Sequence, residues 1–467
     1  MRIHPPALAA LLLLSIGATL VAVPAATAAP APASASASAP SVAAAVPSPV
    51  AALDRSAHPL RSTSPQGDLD DLRALGRMVG DAQVVGLGEA THSSHEFFTL
   101  KHRVFRYLVA EKGFRTFALE GSWSAGLRLN DYVLHGTGSL RQIMDEEFQS
   151  VYASWNTAEY RDLVLWMRSY NVQHPDDPVR FMGNDSAYAG PQLYDQVHAY
   201  AARTSPELAA RLAALYQGLR PATSVDQYIT TYLAQPLAAR QARAARTTRA
   251  VALLARQRPG PGEDGAAYRW AVQQATAIDQ MARLFAYDDH DPQEMAASMR
   301  YRDSVMAANV VWWQQRTGSK ILLAAHNAHV ALQTYTPATY PKVQGTFLRE
   351  ALGDRYVSVA TTFDRGAFNA TGPDGVMRKV TVGAARPGST EYTLDQVRAR
   401  DFVVDLRSAP PAARAWLATA RPVKLIGTAY PAPNTEPRVA LAGTHDLLIH
   451  LHQVTAATLL TSPTGRR

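Results

Sequence analysis

Four short apolar runs that end in polar residues place the strongest constraint on how this chain folds. They are Val84–Leu87, Phe114–Leu119, Val179–Met182 and Ile321–Ala325. Short runs of this kind, separated by segments of helical periodicity, are typical of parallel strands buried on both faces. We therefore predict an α/β fold, in which helices flank a mainly parallel β-sheet.

The rest of the chain adds helices and further strands to this arrangement. Between Pro191 and Gln315 apolar residues recur at three- and four-residue spacing, as in "LAARLAALYQGL". We predict a large helical insertion there, about residues 191–315, between the third and fourth strands, and expect it to act as a lid or a substrate wall. Four later runs are expected to extend the sheet: Tyr356–Phe363, Phe402–Leu406, Val423–Ile426 and Leu447–Leu451.

The N-terminus has the pattern of a secretory signal peptide. Arg2 and His4 precede an apolar run from Ala7 to Val23, and small residues for cleavage follow at 26–28. We predict a signal peptide over residues 1–28 and a secreted protein without stable membrane insertion after cleavage. An uncleaved membrane anchor is the alternative, because the uncharged stretch is just long enough to span a bilayer.

Composition divides the remaining chain and excludes several kinds of site. Residues 29–52 are almost wholly Ala, Pro and Ser, which predicts a disordered tether, and the catalytic domain is expected over residues 53–460. The chain has no cysteine, which excludes a cysteine nucleophile and a thiolate metal site. The net charge is +7 with scattered arginines, and we expect no nucleic-acid partner.

The polar residues at the strand ends predict a functional site. Glu89, Glu120, Asp185 and His326 follow the four apolar runs. In parallel sheets of this kind, ligands bind beyond the carboxyl ends of the strands. We therefore expect these side chains to meet at one edge of the sheet, together with His329 three residues after His326.

The stretch "GEATHSSHEFF", residues 88–98, separates two kinds of polar residue. Ser93 and Glu96 fit a capping box at the start of a helix, which is a structural role. Glu89 and His92 precede the cap, and a helix N-terminus favours the neutral imidazole that a general base requires. Glu120 ends an apolar strand and needs a partner, for which His92 is the nearest candidate.

Three other chemistries remain as alternatives. The same His and Glu residues could hold a metal in a metal-dependent hydrolase, although the spacing is not that of a His-Glu-x-x-His site. A secreted protein that binds a ligand such as haem through the strand-end histidines is the second. The third is a serine nucleophile at Ser124, but Ser122 stands where the G-x-S-x-G motif has glycine.

Five motifs together resemble those of the erythromycin esterase family. They are "GLGEATHSSHEFF", "FALEGSW", "SWNTAEY", "RYRDSVMAANVVWW" and "ILLAAHNAHV". The resemblance runs, with gaps, from about Leu69 to at least Phe363, and we expect it to extend to Thr455. It implies hydrolysis of a cyclic ester, the macrolide lactone, by water activated at a histidine. We expect a small-molecule ester or lactone as the partner and no cofactor, and a divalent metal stays open as the alternative.

The resemblance also implies roles for individual residues. The catalytic residues would be His92, Glu89, Glu120 and His326, with His92 as the base and His326 either polarising the carbonyl or protonating the leaving alkoxide. The residues expected to contact the substrate are Lys101, Trp123, Asp185 and His329. Lys101 stands where we expect arginine in the family, and lysine cannot make the same bidentate contact with a carboxylate.

Overall fold

The computed structural model describes residues 48–258, 265–433 and 435–460. The strands are β1 (His58–Pro59), β2 (Val84–Leu87), β3 (Phe114–Ser122), β4 (Arg180–Asp185), β5 (Lys320–Ala324), β6 (Tyr356–Thr371), β7 (Met377–Val382), β8 (Phe402–Asp405), β9 (Arg421–Pro422), β10 (Arg438–Val439) and β11 (Leu447–Val454).

The α-helices are numbered in chain order. They are α1 (Pro49–Ser56), α2 (Arg73–Val79), α3 (His95–Lys112), α4 (Trp123–His135), α5 (Leu140–Glu147), α6 (Ala158–Gln173), α7 (Pro191–Thr204), α8 (Pro206–Tyr216), α9 (Val225–Leu233), α10 (Leu237–Ala255), α11 (Gly265–Leu284), α12 (Pro292–Thr317), α13 (Asn327–Val330), α14 (Gln344–Leu352), α15 (Thr390–Leu394) and α16 (Pro411–Leu417). Short 3₁₀ helices occur at Asp70–Leu72, Ser150–Trp155 and Gly353–Arg355.

One mixed, mostly parallel sheet organises the described residues. Its strand order is β1-β8-β11-β6-β2-β5-β3-β4, and β7 extends β6 as an antiparallel neighbour. The six strands from β11 to β4 are parallel, whereas β8 and β1 pair antiparallel at the other edge. Buried apolar side chains fill both faces of the central strands, as the predicted runs require. The predicted α/β class is confirmed.

The four predicted strands at the start of the sheet are β2, β3, β4 and β5. The predicted helical insertion is also present, as helices α7 to α12 between β4 and β5. Nowhere in the described parts of the chain is a helix both long enough and apolar enough to cross a membrane. The predicted signal peptide lies outside the described residues, and secretion stays a prediction.

Two predicted boundaries differ from the structure. Val423–Ile426 does not extend the large sheet: Leu425 bonds to Thr435 and Ile426 to Ala90, because this segment crosses the carboxyl edge of the sheet. Helix α1 takes in the last four residues of the predicted tether, residues 49–52. Ala52 and Leu53 are fully buried there, and this burial stabilises the helix.

Candidate active site

A cavity lies at the carboxyl edge of the parallel strands, where the sequence predicts the site. Its volume is about 70 Å³. The lining residues are His92, Glu120, Val151, Tyr152, Trp155, Arg302, His326, Ala328, His329, Thr336, Tyr340, Leu425, Gly427 and Thr428. Since one water needs about 10–15 Å³ of such space, the cavity has room for a few waters or a small acyl group.

His92 is held by a line of buried charges behind the cavity wall. Its Nδ1 lies 2.6 Å from Oε1 of Glu89, and the other carboxylate oxygen of Glu89 accepts a hydrogen bond from the ammonium of Lys101. Glu89 and Lys101 are almost completely buried. With Nδ1 occupied by Glu89, Nε2 of His92 is the nitrogen available to a water in the cavity.

His326 packs beside His92 on the wall of the same cavity. The two ring centroids are 4.8 Å apart, and Trp155 packs edge-on against His92 at 5.4 Å. Burial and the neighbouring His92 ring hold the pKa of His326 well below its usual value, so His326 is neutral at neutral pH. Its Nε2 is buried and has no hydrogen-bond partner among the described residues.

A second group of buried charges adjoins these two histidines. Arg302 makes a bidentate ion pair with Asp185, with N–O distances of 2.9 and 2.8 Å, and also contacts Glu120 at 3.2 Å. His329 lies between Glu120, 3.2 Å from its Nε2, and Asp303, 2.9 Å from its Nδ1. The backbone N–H of His326 donates to the other oxygen of Glu120 at 2.9 Å. This hydrogen bond connects the second group of charges to the loop that carries His326.

Two opposing effects set the pKa values in this group, namely burial and the pairing of opposite charges. Burial would raise the pKa of Glu120, but His329, His92 and Arg302 together hold it well below its usual value. Burial would lower the pKa of His329, but the Asp303 and Glu120 carboxylates raise it to about 10. Three carboxylates thus face two cations, Arg302 and protonated His329.

The structure brings together the four predicted catalytic residues but not all the predicted substrate contacts. His92, Glu120, His326 and His329 line the cavity, and Glu89 supports His92 from behind. The other three predicted contacts do not line it, because each is buried against another group. Lys101 pairs with Glu89, Asp185 pairs with Arg302, and Trp123 donates to Gln274 at 2.9 Å. For these three residues, contact with the substrate stays a prediction.

Sequence reasoning missed Arg302, Asp303, Trp155 and Tyr340. Arg302 and Asp303 lie on α12, which belongs to the helical insertion, and both are buried. An adjacent Arg-Asp pair within "RYRDSVMAANVVWW" is a signal that could have pointed to them, since a buried charge needs a partner. Apart from Arg302, the residues that line this cavity lie outside the insertion, and the role of the insertion as a lid or a substrate wall stays a prediction.

The capping box predicted at Ser93 and Glu96 is also wrong. Helix α3 begins one residue later, with Ser94 as the N-cap residue, and Ser93 has a φ of 107°. The Glu96 carboxylate instead accepts hydrogen bonds from the backbone N–H and the hydroxyl of Thr455, at 2.5 and 2.8 Å. The partner of Glu96 is therefore the segment after β11, and not the N-terminus of its own helix as the local sequence predicts.

Comparison with known proteins places the chain in a family. The sequence profile of the erythromycin esterase family matches residues 109–454. The chain belongs to the erythromycin esterase family. It is 26% identical over 337 residues to erythromycin esterase type II of Escherichia coli, which covers 68% of this chain and 77% of that protein. Over 135 residues it is 27% identical to the putative hydrolase YbfO of Bacillus subtilis (strain 168), or 28% of each chain.

Solved structures show the same fold. A Bacillus cereus protein has a TM-score of 0.80 and 30% identity, over 88% of this chain and 98% of that one. A protein described as a succinoglycan biosynthesis protein has a TM-score of 0.77 and 28% identity, with the same coverage. A mutant of the erythromycin esterase EreC in its open conformation has a TM-score of 0.68 and 19% identity, over 86% and 98%. Family membership assigns the chain to the esterase class of hydrolases.

Proposed function

We propose that this erythromycin esterase family member hydrolyses a carboxylic ester or macrolide-type lactone with a water that His92 deprotonates. The observation that carries the proposal is the pairing of His92 Nδ1 with Glu89 at 2.6 Å on the wall of the cavity. This contact fixes the tautomer that leaves Nε2 free to accept a proton, and it stabilises the imidazolium that forms.

The proposed reaction then divides its steps between two histidines. His92 takes a proton from water, and the resulting hydroxide adds to the ester carbonyl. His326 is neutral, so it acts as a hydrogen-bond donor to the developing oxyanion rather than as an acid. When the tetrahedral intermediate collapses, the His92 imidazolium returns its proton to the leaving alkoxide. The products are the carboxylic acid and the alcohol, or one hydroxy acid if the substrate is a lactone.

The donor groups favour this reaction over the alternatives from the sequence. Glu89 and Glu120 are already paired with cationic side chains, which makes them poor donors for a divalent ion. Ser124 is buried, does not line the cavity and shares a hydrogen bond of 3.1 Å with Ser122. A cavity of about 70 Å³ is far smaller than haem requires.

The test compares two histidines from the same stretch of sequence. His92→Gln should lower kcat/KM for ester hydrolysis by a factor of about 10²–10⁴ while the protein stays folded. His95→Gln is the control, because His95 is half exposed and pairs with Glu159 rather than with cavity residues. The substrate panel should include macrolides and simple p-nitrophenyl esters, assayed before and after dialysis against EDTA. Full activity in His92→Gln, or loss of activity after EDTA, would exclude the proposed mechanism.

A further inference from the structure

A second cluster of histidine and carboxylate groups lies on the same sheet but outside the cavity. His450 and His452 are two residues apart on β11, and both approach the carboxylate of Asp395, which directly follows α15. Asp364 lies on the adjacent strand β6, across from His452 in the parallel register. One ligand atom from each of Asp364, Asp395 and His452 lies within 4.8 Å of the others.

His450, beside this cluster, has a buried ring nitrogen that makes no hydrogen bond in the described parts of the chain, which is an independent indication of a binding site. Its side chain is fully buried, and its Nδ1 is engaged by the Thr362 hydroxyl at 2.8 Å. Its Nε2 points towards Asp395 Oδ1, 3.6 Å away, and makes no hydrogen bond within the described residues. A buried imidazole nitrogen that makes no hydrogen bond is costly, and a metal ion placed between it and Asp395 would remove that cost.

The cluster is accessible, and the groups that now occupy it can move. The side chains of Asp395 and His452 are 14% and 24% exposed, which leaves a path for an ion from solvent. Arg365 contacts Asp364 at 2.8 Å, and Arg400 contacts the ring of His452 at 3.0 Å. The side chain of Arg365 is 44% exposed and Arg400 is an exposed residue, so both guanidinium groups can turn into solvent when an ion binds.

We propose that Asp364, Asp395 and His452 bind a divalent transition metal of the zinc type, with His450 as the fourth donor. Zinc prefers four nitrogen and oxygen ligands in a tetrahedron, about 2.0–2.2 Å from the metal. The ligand atoms of such a site are about 3.3–3.5 Å apart, so the distances between the three groups need to shorten by at most about 1.5 Å. In this role the ion replaces the proton shared between His452 and Asp395, now 2.6 Å apart.

The metal would brace a segment of the active-site wall without taking part in the reaction. Lys424 donates through its ammonium to the backbone carbonyls of Phe363 and Asp364. The residue after Lys424, Leu425, lines the cavity. An ion that fixes Asp364 against β11 and Asp395 therefore also fixes the strand to which this wall is tied.

The test measures zinc binding by the full chain after dialysis against EDTA. Isothermal titration with zinc chloride should give one ion per chain, and zinc should raise the melting temperature. His452→Ala and the conservative Asp395→Asn should each weaken zinc binding by at least about 100-fold, since even supporting groups around a metal contribute 10–100-fold. His198→Ala is the matched control, because His198 is exposed on α7 of the helical insertion.

A comparison with the active-site histidine locates the ion. His92→Ala should bind zinc as tightly as the unaltered chain, because His92 belongs to the cavity rather than to this cluster. Failure of the folded chain to take up zinc would overturn the proposal. So would unchanged affinity in either His452→Ala or Asp395→Asn, or loss of zinc binding in His92→Ala.

Discussion

His329 carries a positive charge through the neutral pH range because two buried carboxylates face its ring. Asp303 accepts from Nδ1 and Glu120 lies beside Nε2. Burial works against this charge, but the two carboxylates raise the pKa of His329 to about 10. The protonated ring therefore pairs with Asp303 on the helical insertion and with Glu120 on β3 at the same time.

This charge predicts a loss of stability at alkaline pH. The folded-state pKa of about 10 lies above the ordinary value of 6.5, so the stabilisation is complete below pH 6.5 and disappears as the pH rises towards 10. We expect the free energy of unfolding to fall by on the order of a few kcal/mol across that range. Urea denaturation at pH 7 and pH 9.5 measures it, with His329→Gln as comparison. Equal falls in both proteins would show that His329 is not the group responsible.

At the scale of elements, the site depends on two strand-to-helix connections that touch. The loop after β2 carries His92, and the loop after β5 carries His326. The backbone N–H of Asn327 donates to the carbonyl of Glu89 at 2.9 Å. At Gly88 a Cβ atom would lie 2.2 Å from Oδ1 of Asn327, so only glycine allows the two loops to come this close.

Gly88→Ala should therefore impair both stability and turnover. The side chain of Asn327 cannot move aside cheaply, because it accepts from the Thr361 N–H and donates to the Thr361 carbonyl. We expect a loss of about 1–3 kcal/mol of stability, and a fall in kcat as His92 and His326 separate. Gly383→Ala is the control, since an added Cβ at Gly383 meets no atom within 4 Å. The measurements are the melting temperature and kcat for ester hydrolysis. A melting temperature and a kcat equal to those of the unaltered protein in Gly88→Ala would show that the prediction is wrong.

At the scale of the whole molecule, the cavity is formed by stretches that are far apart in the chain. Residues 151–155, 326–340 and 425–428 supply most of its wall, and Arg302 reaches it from the helical insertion. Its volume of about 70 Å³ is well below the roughly 300 Å³ of a pocket for a drug-sized ligand. A cavity of this volume has room for a small acyl group, and a macrolide would fit only if the wall segments moved apart.

Leu425→Ala should widen the range of esters that this form accepts. Leu425 lines the cavity, and pocket methylene groups change selectivity by about 10–200-fold. We would measure kcat/KM for p-nitrophenyl esters from acetyl to decanoyl. In the variant, the ratio of kcat/KM for the longer esters to kcat/KM for the acetyl ester should rise by at least about 10-fold. Leu417→Ala controls for lost packing, because Leu417 is a buried leucine in the same core cluster but away from the cavity. If the dependence of kcat/KM on acyl length is unchanged in Leu425→Ala, Leu425 does not limit the size of the acyl group.

The sequence by itself determined the parallel sheet and the residues that meet at its edge. Short buried runs such as Val84–Leu87 form strands for local reasons, and parallel strands bring the residues after them to one side. For that reason the amino-acid sequence alone is enough to place Glu89, His92, Glu120 and His326 together. Their individual roles in the reaction remain predictions.

Only the tertiary structure decided which partner each buried polar group has. Arg302 reaches Asp185 and Glu120 from a helix more than 100 residues further along the chain, and Thr455 replaces the predicted cap of Glu96. Lys101 is buried beneath Glu89, and Trp123 packs against Trp312 and Trp313. A local pattern shows that such a group needs a partner but not which one, because the choice depends on contacts between segments that only folding brings together.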